Sequence, residues 1–169
     1  VFLFLFFREK KRIIRQAKKW LDVDEVGNNY SFTDPEFYQK IKAVGWQPSL
    51  QWCSFFAKLV LLETHKGEKK EVLRQIMSGS SQQTFKNFIA NDAKYKWFTV
   101  SDRPKKAGLA VWQSVSKPAF GHIAIVKKVR KNSFDTIEGN FEQGVNISNH
   151  FYDEYNKKSG NRLIGFVNF

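Results

Sequence analysis

Cysteine is almost missing from this chain: Cys53 is the single one in 169 residues. One thiol cannot close an internal disulfide, so no disulfide framework holds the fold, while a lone reactive thiol is compatible with either side of a cell membrane. Long apolar runs are lacking too. The opening "VFLFLFF", residues 1–7, falls well short of the about 20 residues that cross a bilayer, and its positive charges follow the run where a secretory signal would carry them in front. Acidic residues are scarce, 16 against 28 Lys plus Arg, for a net charge of +12. That surplus points to an anionic partner, whether nucleic acid, anionic lipid or a phosphate- and carboxylate-rich bacterial wall. The basic residues are spread from Arg8 to Arg162 with no nucleic-acid motif among them, so nucleic acid is not expected as the main partner. The acidic group Asp22, Asp24 and Glu25 lacks the loop spacing and terminal bidentate Glu of a calcium site. Internal repeats and long low-complexity tracts are absent.

What is present is ample material for one core. Hydrophobic residues make up 42% and aromatics 16% of the chain, with 17 Phe and 5 Trp, enough for a single domain of this length. Residues 1–20 form an apolar and then basic N-terminal segment, ahead of a domain over 21–169. Two readings of residues 1–7 stand side by side: the end of a membrane helix whose basic flank sits at the headgroups, or a buried strand or helix start. Ile13, Ile14, Ala17, Trp20 and Leu21 recur at helical spacing, opposite Arg12, Arg15, Lys18 and Lys19, which predicts a helix lying on the domain or on a membrane surface.

Farther on, Gly27, Asn28 and Asn29 mark a loop, and Asp34 with Pro35 cap and open a short helix. Pro48 and Ser49 can open another, running through Cys53 to about Leu62 and burying Trp52, Phe55, Phe56, Leu59 and Val60. Helices are also expected around 68–77 and 84–90, with "SGSSQQ" as the loop between them. From Lys106 the texture turns to β: "GLAVWQ", "GHIAIVKKV", "FDTIEGNF", "GVNISNHFY" and "RLIGFVNF" read as about five antiparallel strands. Helices followed by an antiparallel sheet define an α+β domain.

A cysteine in an apolar helix is, taken alone, an ordinary core residue. Near a helix start and beside an imidazole, a thiol instead becomes a nucleophile, because both features stabilise the thiolate. Three histidines are available. His65 lies twelve residues along the same helix and is expected at the surface. His150, among Asn149, Phe151 and Tyr152, has no evident orienting partner. His122 opens a strand behind Gly121, which leaves room for close approach, and is the candidate base. Such a base needs a third group to hold its tautomer and ring angle. If His122 begins one strand of a hairpin, the fifteen residues that follow bring Glu138, at the end of the next strand, back to its level. Asn140 can add a second polar contact there.

These segments resemble the CHAP domains, cysteine peptidoglycan amidases and endopeptidases related in architecture to papain. The likeness runs over about residues 20 to 169. It is carried by "EVGNN" at 25–29, "WCSFFAKLV" at 52–60, "RPKKAGLAVW" at 103–112, "GHIAIV" at 121–126 and "IEGN" at 137–140. Leu109 departs from the pattern, since many relatives have Asp after the glycine. The resemblance implies a papain-like α+β fold, its nucleophile at a helix N-terminus packed on the sheet. Cys53 would be the nucleophile, His122 the base, Glu138 the orienter and Asn140 an auxiliary polar residue. The backbone N–H of Cys53, with the side chain of Gln47 or Gln51, would hold the oxyanion. Trp46, Trp52, Trp112 and Asn28 would line the substrate groove, each tryptophan having core packing as its plain alternative. The acidic calcium loop of some relatives is not visible here, so neither metal nor cofactor is expected.

The substrate implied is an amide in the peptide part of peptidoglycan, cleaved outside the cytoplasm at the bacterial wall by an amidase or endopeptidase, phage lysin and bacterial remodelling enzyme both fitting. The positive surface would then hold the protein to the wall by contacts that weaken with salt, and the N-terminal segment would add a membrane contact. The alternative is a non-catalytic wall-binding or virion structural module with the same fold.

Overall fold

The most buried helix of the chain lies at its centre. In the computed structural model, which describes residues 2–152, 155–156 and 160–169 and the side chains outside 2–7 and 153–159, five helices precede most of an antiparallel sheet. They are α1 (Phe2–Lys18), α2 (Pro35–Ala43), α3 (Cys53–Thr64), α4 (Gly67–Ile76) and α5 (Ser81–Asn91). Ten of the 12 residues of α3 are buried, so it has no solvent stripe. A helix apolar on all sides belongs inside the domain.

α1 is helical through the opening apolar run, and Ile13, Ile14 and Ala17, with Trp20 just after it, join the same core as α3. Residues 8–20 therefore pack as part of the domain. Among the described residues no helix is long and apolar enough to cross a membrane; the side chains of 1–7, on which the membrane-end expectation rests, lie outside those described. His65, expected at the surface, is buried instead. Its Nδ1 donates to the Leu61 carbonyl at 2.8 Å, its Nε2 lies 2.8 Å from Glu9 Oε1, and the rings of Trp97 and Phe169 flank it. The adjacent His65 ring, with Lys69 assisting against the opposing effect of burial, lowers Glu9 to about 2. This cluster ties α1 to the far end of α3.

Residues 25–32 form a small hairpin, β1 (Glu25–Val26) with β2 (Ser31–Phe32), turned by Gly27, Asn28 and Asn29, all at positive φ. The main sheet contains β3 (Thr99–Ser101), β4 (Leu109–Ser114), β5 (Gly121–Val129), β6 (Ser133–Phe141), β7 (Gly144–Phe151), β8 (Tyr155–Asn156) and β9 (Asn161–Asn168). Its order is β3-β9-β4-β5-β6-β7, with β8 on β9, and each pairing is antiparallel. The five strands expected from sequence are β4, β5, β6, β7 and β9. The additional ones span only two or three residues each, too short to carry a period-two signal.

Both faces of the sheet's centre are covered. Leu109, Val111, Ile123, Ile125, Ile137 and Val167 belong to the core around α3, whereas Ala110, Trp112, Ala124, Val126, Phe134 and Phe166 form a second cluster on the opposite face. This is why seven consecutive residues of β6, Ser133–Gly139, are buried.

Candidate active site

α3 begins later than the sequence suggests. Ser49 sits at φ +72° and its N–H bonds the Asn29 carbonyl at 2.6 Å, while Leu50 N–H closes a turn onto Gln47. A non-glycine residue in the left-handed region cannot propagate a helix, so helical geometry starts only at Cys53. That shift makes the cysteine the first helical residue. Its backbone N–H is one of the first-turn donors that no intrahelical acceptor reaches. The approach loop is braced from below, because Trp52 Nε1 donates to Glu25 Oε2 at 2.9 Å and Trp46 Nε1 to the Leu50 carbonyl at 2.9 Å.

The sheet brings the remaining groups to the sulfur. Trp112 on β4 pairs with His122 on β5, and β5 pairs with β6 through Ile125 opposite Ile137. Glycines permit the approaches. A Cβ on Gly121 would lie 2.0 Å from the Trp112 carbonyl oxygen and 2.4 Å from Gln82 Nε2, and one on Gly139 would lie 2.6 Å from Phe56 Cβ. Gln82 donates to that same Trp112 carbonyl at 2.7 Å, which pins α5 beside the start of β5.

His122 Nε2 donates to Glu138 Oε2 at 2.7 Å. The other ring nitrogen, Nδ1, is then the one left for Cys53, which lies near enough to favour the charged form of the ring. Burial opposes charge on this imidazole, but the neighbouring Cys53 and the hydrogen-bonded Glu138 carboxylate outweigh it and raise His122 to about 10. Glu138 is fully buried. Burial alone would raise its carboxyl, yet hydrogen bonds from His122 and His150 and the charge on both hold it well below the usual carboxylate range. Sulfur, imidazole and carboxylate thus stand in series.

The expected auxiliary residue is placed differently. Asn140, at φ +59° in the irregular end of β6, donates to Gln51 Oε1, not to His122 or Glu138. It thereby orients the Gln51 amide, which lines the same cleft as Cys53. Gln47 is exposed and Asn28 is exposed in the β1–β2 turn, and neither lines that cleft. The three tryptophans are a correction to the substrate-groove expectation. Trp46, Trp52 and Trp112 are all buried: Trp52 packs on Phe32, Phe37 and Phe56, Trp46 on Phe32 and Tyr38, and Trp112 stacks on Phe134. Their indoles close the core, so no face remains for a ligand.

The cleft over Cys53 has a volume of about 590 Å³. Its apolar wall is Leu50, Phe55 and Phe120, and its polar wall includes Gln51, Ser80 and Ser81; among the described residues no charged side chain lines it. Sequence reasoning also passed over His150. It is buried on β7, where it pairs with Phe134, and its Nε2 donates to Glu138 Oε1 at 2.6 Å. Thr136 donates to the same oxygen. The available signal was period two: residues 134, 136 and 138 share one face of β6, and His150 opposite Phe134 shares it too. Among the described residues no group of three or more His, Cys, Asp or Glu side chains is placed to hold a metal ion.

The family model for the CHAP domain matches residues 43–140, from the last residue of α2 through Asn140. No curated protein matches the chain. Among solved structures, the crystal structure of Ly7917 with the hydrolyzing product of MDP is similar at 14% identity and a TM-score of 0.53, with 94% of this chain and 62% of that chain covered. The crystal structure of Ly7917 is matched with the same identity and coverage at a TM-score of 0.46. The chain spans less than two thirds of the length of Ly7917, and at this identity the likeness is one of fold.

Proposed function

The chain belongs to the CHAP domain family, and on that premise we propose that it is a peptidoglycan hydrolase cleaving an amide bond of the wall peptide by a Cys53, His122, Glu138 thiol mechanism. One observation carries the reading: a cysteine at the first residue of a helix, lining a cleft, lies beside an imidazole that is bonded through Nε2 at 2.7 Å to a buried carboxylate. A purely structural cysteine needs none of these partners.

In this reading the Cys53 thiolate attacks the amide carbon, forming a C–S bond as the carbonyl π electrons move to oxygen. The His122 imidazolium passes its proton to the amine as the C–N bond breaks, leaving a thioester. Neutral His122 then takes a proton from water, the hydroxide adds to the thioester carbonyl, and the C–S bond breaks to restore the thiolate. Glu138 keeps the ring in the tautomer with Nε2–H and Nδ1 toward sulfur. The two oxyanion donors are the Cys53 backbone N–H and the Gln51 side-chain N–H, the latter turned by the Asn140 bond to Gln51 Oε1. A cleft whose described lining carries no charged side chain suits a peptide backbone, while the net charge of +12 attracts the anionic wall outside the cytoplasm. Ly7917, whose fold is similar, was crystallised with the hydrolyzing product of MDP, which supports the same substrate class.

The test is digestion of purified peptidoglycan by wild type and Cys53→Ala, with mass spectrometry of the fragments. Wild type should release fragments with new amine and carboxylate ends, which also distinguishes an N-acetylmuramoyl-L-alanine amidase from a peptide endopeptidase, and Cys53→Ala should release none. Wall binding without fragments from wild type would identify a non-catalytic module. Equal fragments from both proteins would remove Cys53 from the mechanism.

A further inference from the structure

Glu138 has two carboxylate oxygens and three donors. Oε2 takes the bond from His122, and Oε1 takes those from His150 and Thr136. A fully buried carboxylate remains ionised only when hydrogen bonds and neighbouring charge replace the water it has lost, and the orienter of a thiol–imidazole pair is useful only while ionised and fixed in direction. His150 is itself held on several sides: its ring lies 4.8 Å from that of Trp112 and 5.5 Å from that of Phe134, and Phe134 is stacked in turn against Tyr152. Trp112 also lies 5.8 Å from the His122 ring, so one indole sets the position of both imidazoles.

We propose that His150 is a positioning residue of the active site, clamping Glu138 from the side opposite His122 so that the carboxylate holds the imidazole in register with Cys53. The proposal rests on the thiol mechanism above and assigns it a member that never meets substrate, since His150 lies behind Glu138 and away from the cleft. The titratable groups facing the clamp are Glu138 from β6, His122 from β5, Cys53 from α3, and Tyr152 beyond β7, whose hydroxyl donates to the Arg130 carbonyl at 2.8 Å. Of these, Glu138 alone is in hydrogen-bond contact with the His150 ring, so the effect of His150 passes through that carboxylate.

The experiment reads the thiol directly. Rates of Cys53 alkylation by iodoacetamide are measured at pH 6 and pH 10 in wild type, His150→Leu and His150→Gln, with circular dichroism as the check on folding. At pH 6 the rate reports the thiolate that the imidazolium sustains, and His150→Leu should lose about tenfold, the equivalent of one pH unit. At pH 10 a free thiol is ionised without help, and the rates should agree within about twofold. Gln retains an N–H donor, so His150→Gln should stay within about threefold of wild type at pH 6. A folded His150→Leu with a wild-type rate at pH 6, or a folded His150→Gln that loses more than threefold there, overturns the proposal. If His150→Leu does not fold, the Gln variant decides alone by the same threshold. Because alkylation needs no peptidoglycan, wild type that alkylates as expected yet releases no wall fragments sinks the hydrolase reading and leaves the clamp standing.

Discussion

Replacing Gly139 by alanine tests how closely the sheet must approach the nucleophile helix. The added methyl carbon would lie 2.6 Å from Phe56 Cβ, 2.7 Å from Phe56 Cγ and 2.7 Å from Trp52 Cζ3, against an ordinary carbon–carbon contact of about 3.5–4.0 Å. Neither ring can step aside, because both are fully buried and Trp52 is wedged among Phe32, Phe37 and Phe56. β6 must therefore retreat from α3 by about 1 Å. Overpacking of this kind costs about 1–3 kcal/mol, offset in part by the about 0.4–1 kcal/mol that alanine gains from a less free unfolded chain. Glu138 is the adjacent residue, and a movement of that size stretches its 2.7 Å bond to His122 beyond hydrogen-bond range. A misplacement of about 1 Å in catalytic geometry costs on the order of a hundredfold in rate. Urea unfolding should show a lowered midpoint with an unchanged slope, and turnover of solubilised peptidoglycan should fall by about that factor under conditions where the protein is fully folded. Gly67→Ala is the control. Nothing lies within 4 Å of its added carbon, but its φ is +55°, so it should lose about 1–2 kcal/mol of stability through backbone strain and keep its turnover. A Gly139→Ala protein with the wild-type midpoint and rate would refute the close-approach reasoning.

Other substitutions separate the roles of the polar groups. Glu138→Gln leaves one oxygen for three donors and faces an NH₂ toward a histidine that also donates; one imidazole must change tautomer, and kcat should drop by roughly 10²–10⁴ with little change in KM. Gln51→Ala should lower kcat by about 10²–10³ if its amide holds the oxyanion, and Asn140→Ala, which only releases that amide, should lower it less; equal wild-type rates in both would remove Gln51 from the oxyanion site. Because the folded pKa of His122 is raised to about 10, the folded chain keeps a proton that the unfolded chain releases above about 6.5. This contribution to stability is complete below about 6.5 and is lost as pH rises toward 10. Thermal unfolding across that window should show a steeper decline for wild type than for His122→Gln.

How far the site can be read from sequence follows from where each partner lies along the chain. Cys53 and His122 sit at element starts and Glu138 where the regular pairing of β6 with β7 breaks, and such boundaries are what turn residues and hydrophobic period reveal. The fifteen residues between His122 and Glu138 make one hairpin, so their juxtaposition needs only strand boundaries. His150 needs a register as well. Its partner lies on the neighbouring strand, and the pairing passes through an irregular turn in which Asn140, Glu142 and Gln143 all take positive φ, something no local pattern announces. The start of α3 lies later than residue type suggests for a related reason: Ser49 is an acceptable helix opener by type, and only the tertiary bond from its N–H to Asn29 shows that it is held out of the helix. The tryptophans fail differently. Composition says that aromatic surface is available but not on which side of the backbone it falls, and Trp52 turned inward because Glu25 meets its indole N–H there. His65 reads as a surface residue from its place at the far end of a helix, because sequence does not show the Glu9 carboxylate of α1 that makes its burial tolerable.

β6 shows how one strand serves two purposes. Ile137 and Gly139 point to α3, the first filling the core and the second, by having no side chain, letting the helix come close. Thr136 and Glu138 point the other way; Glu138 accepts from His122 and His150, and Thr136 donates to Glu138. Because side chains alternate at a period of two, packing and chemistry are separated residue by residue although they share one backbone. The distance from sulfur to imidazole is therefore set by the packing residues and the direction of the imidazole by the polar ones. A mutation on either face should disturb activity, but only one on the α3 face should do so by moving the whole strand and lowering stability with it.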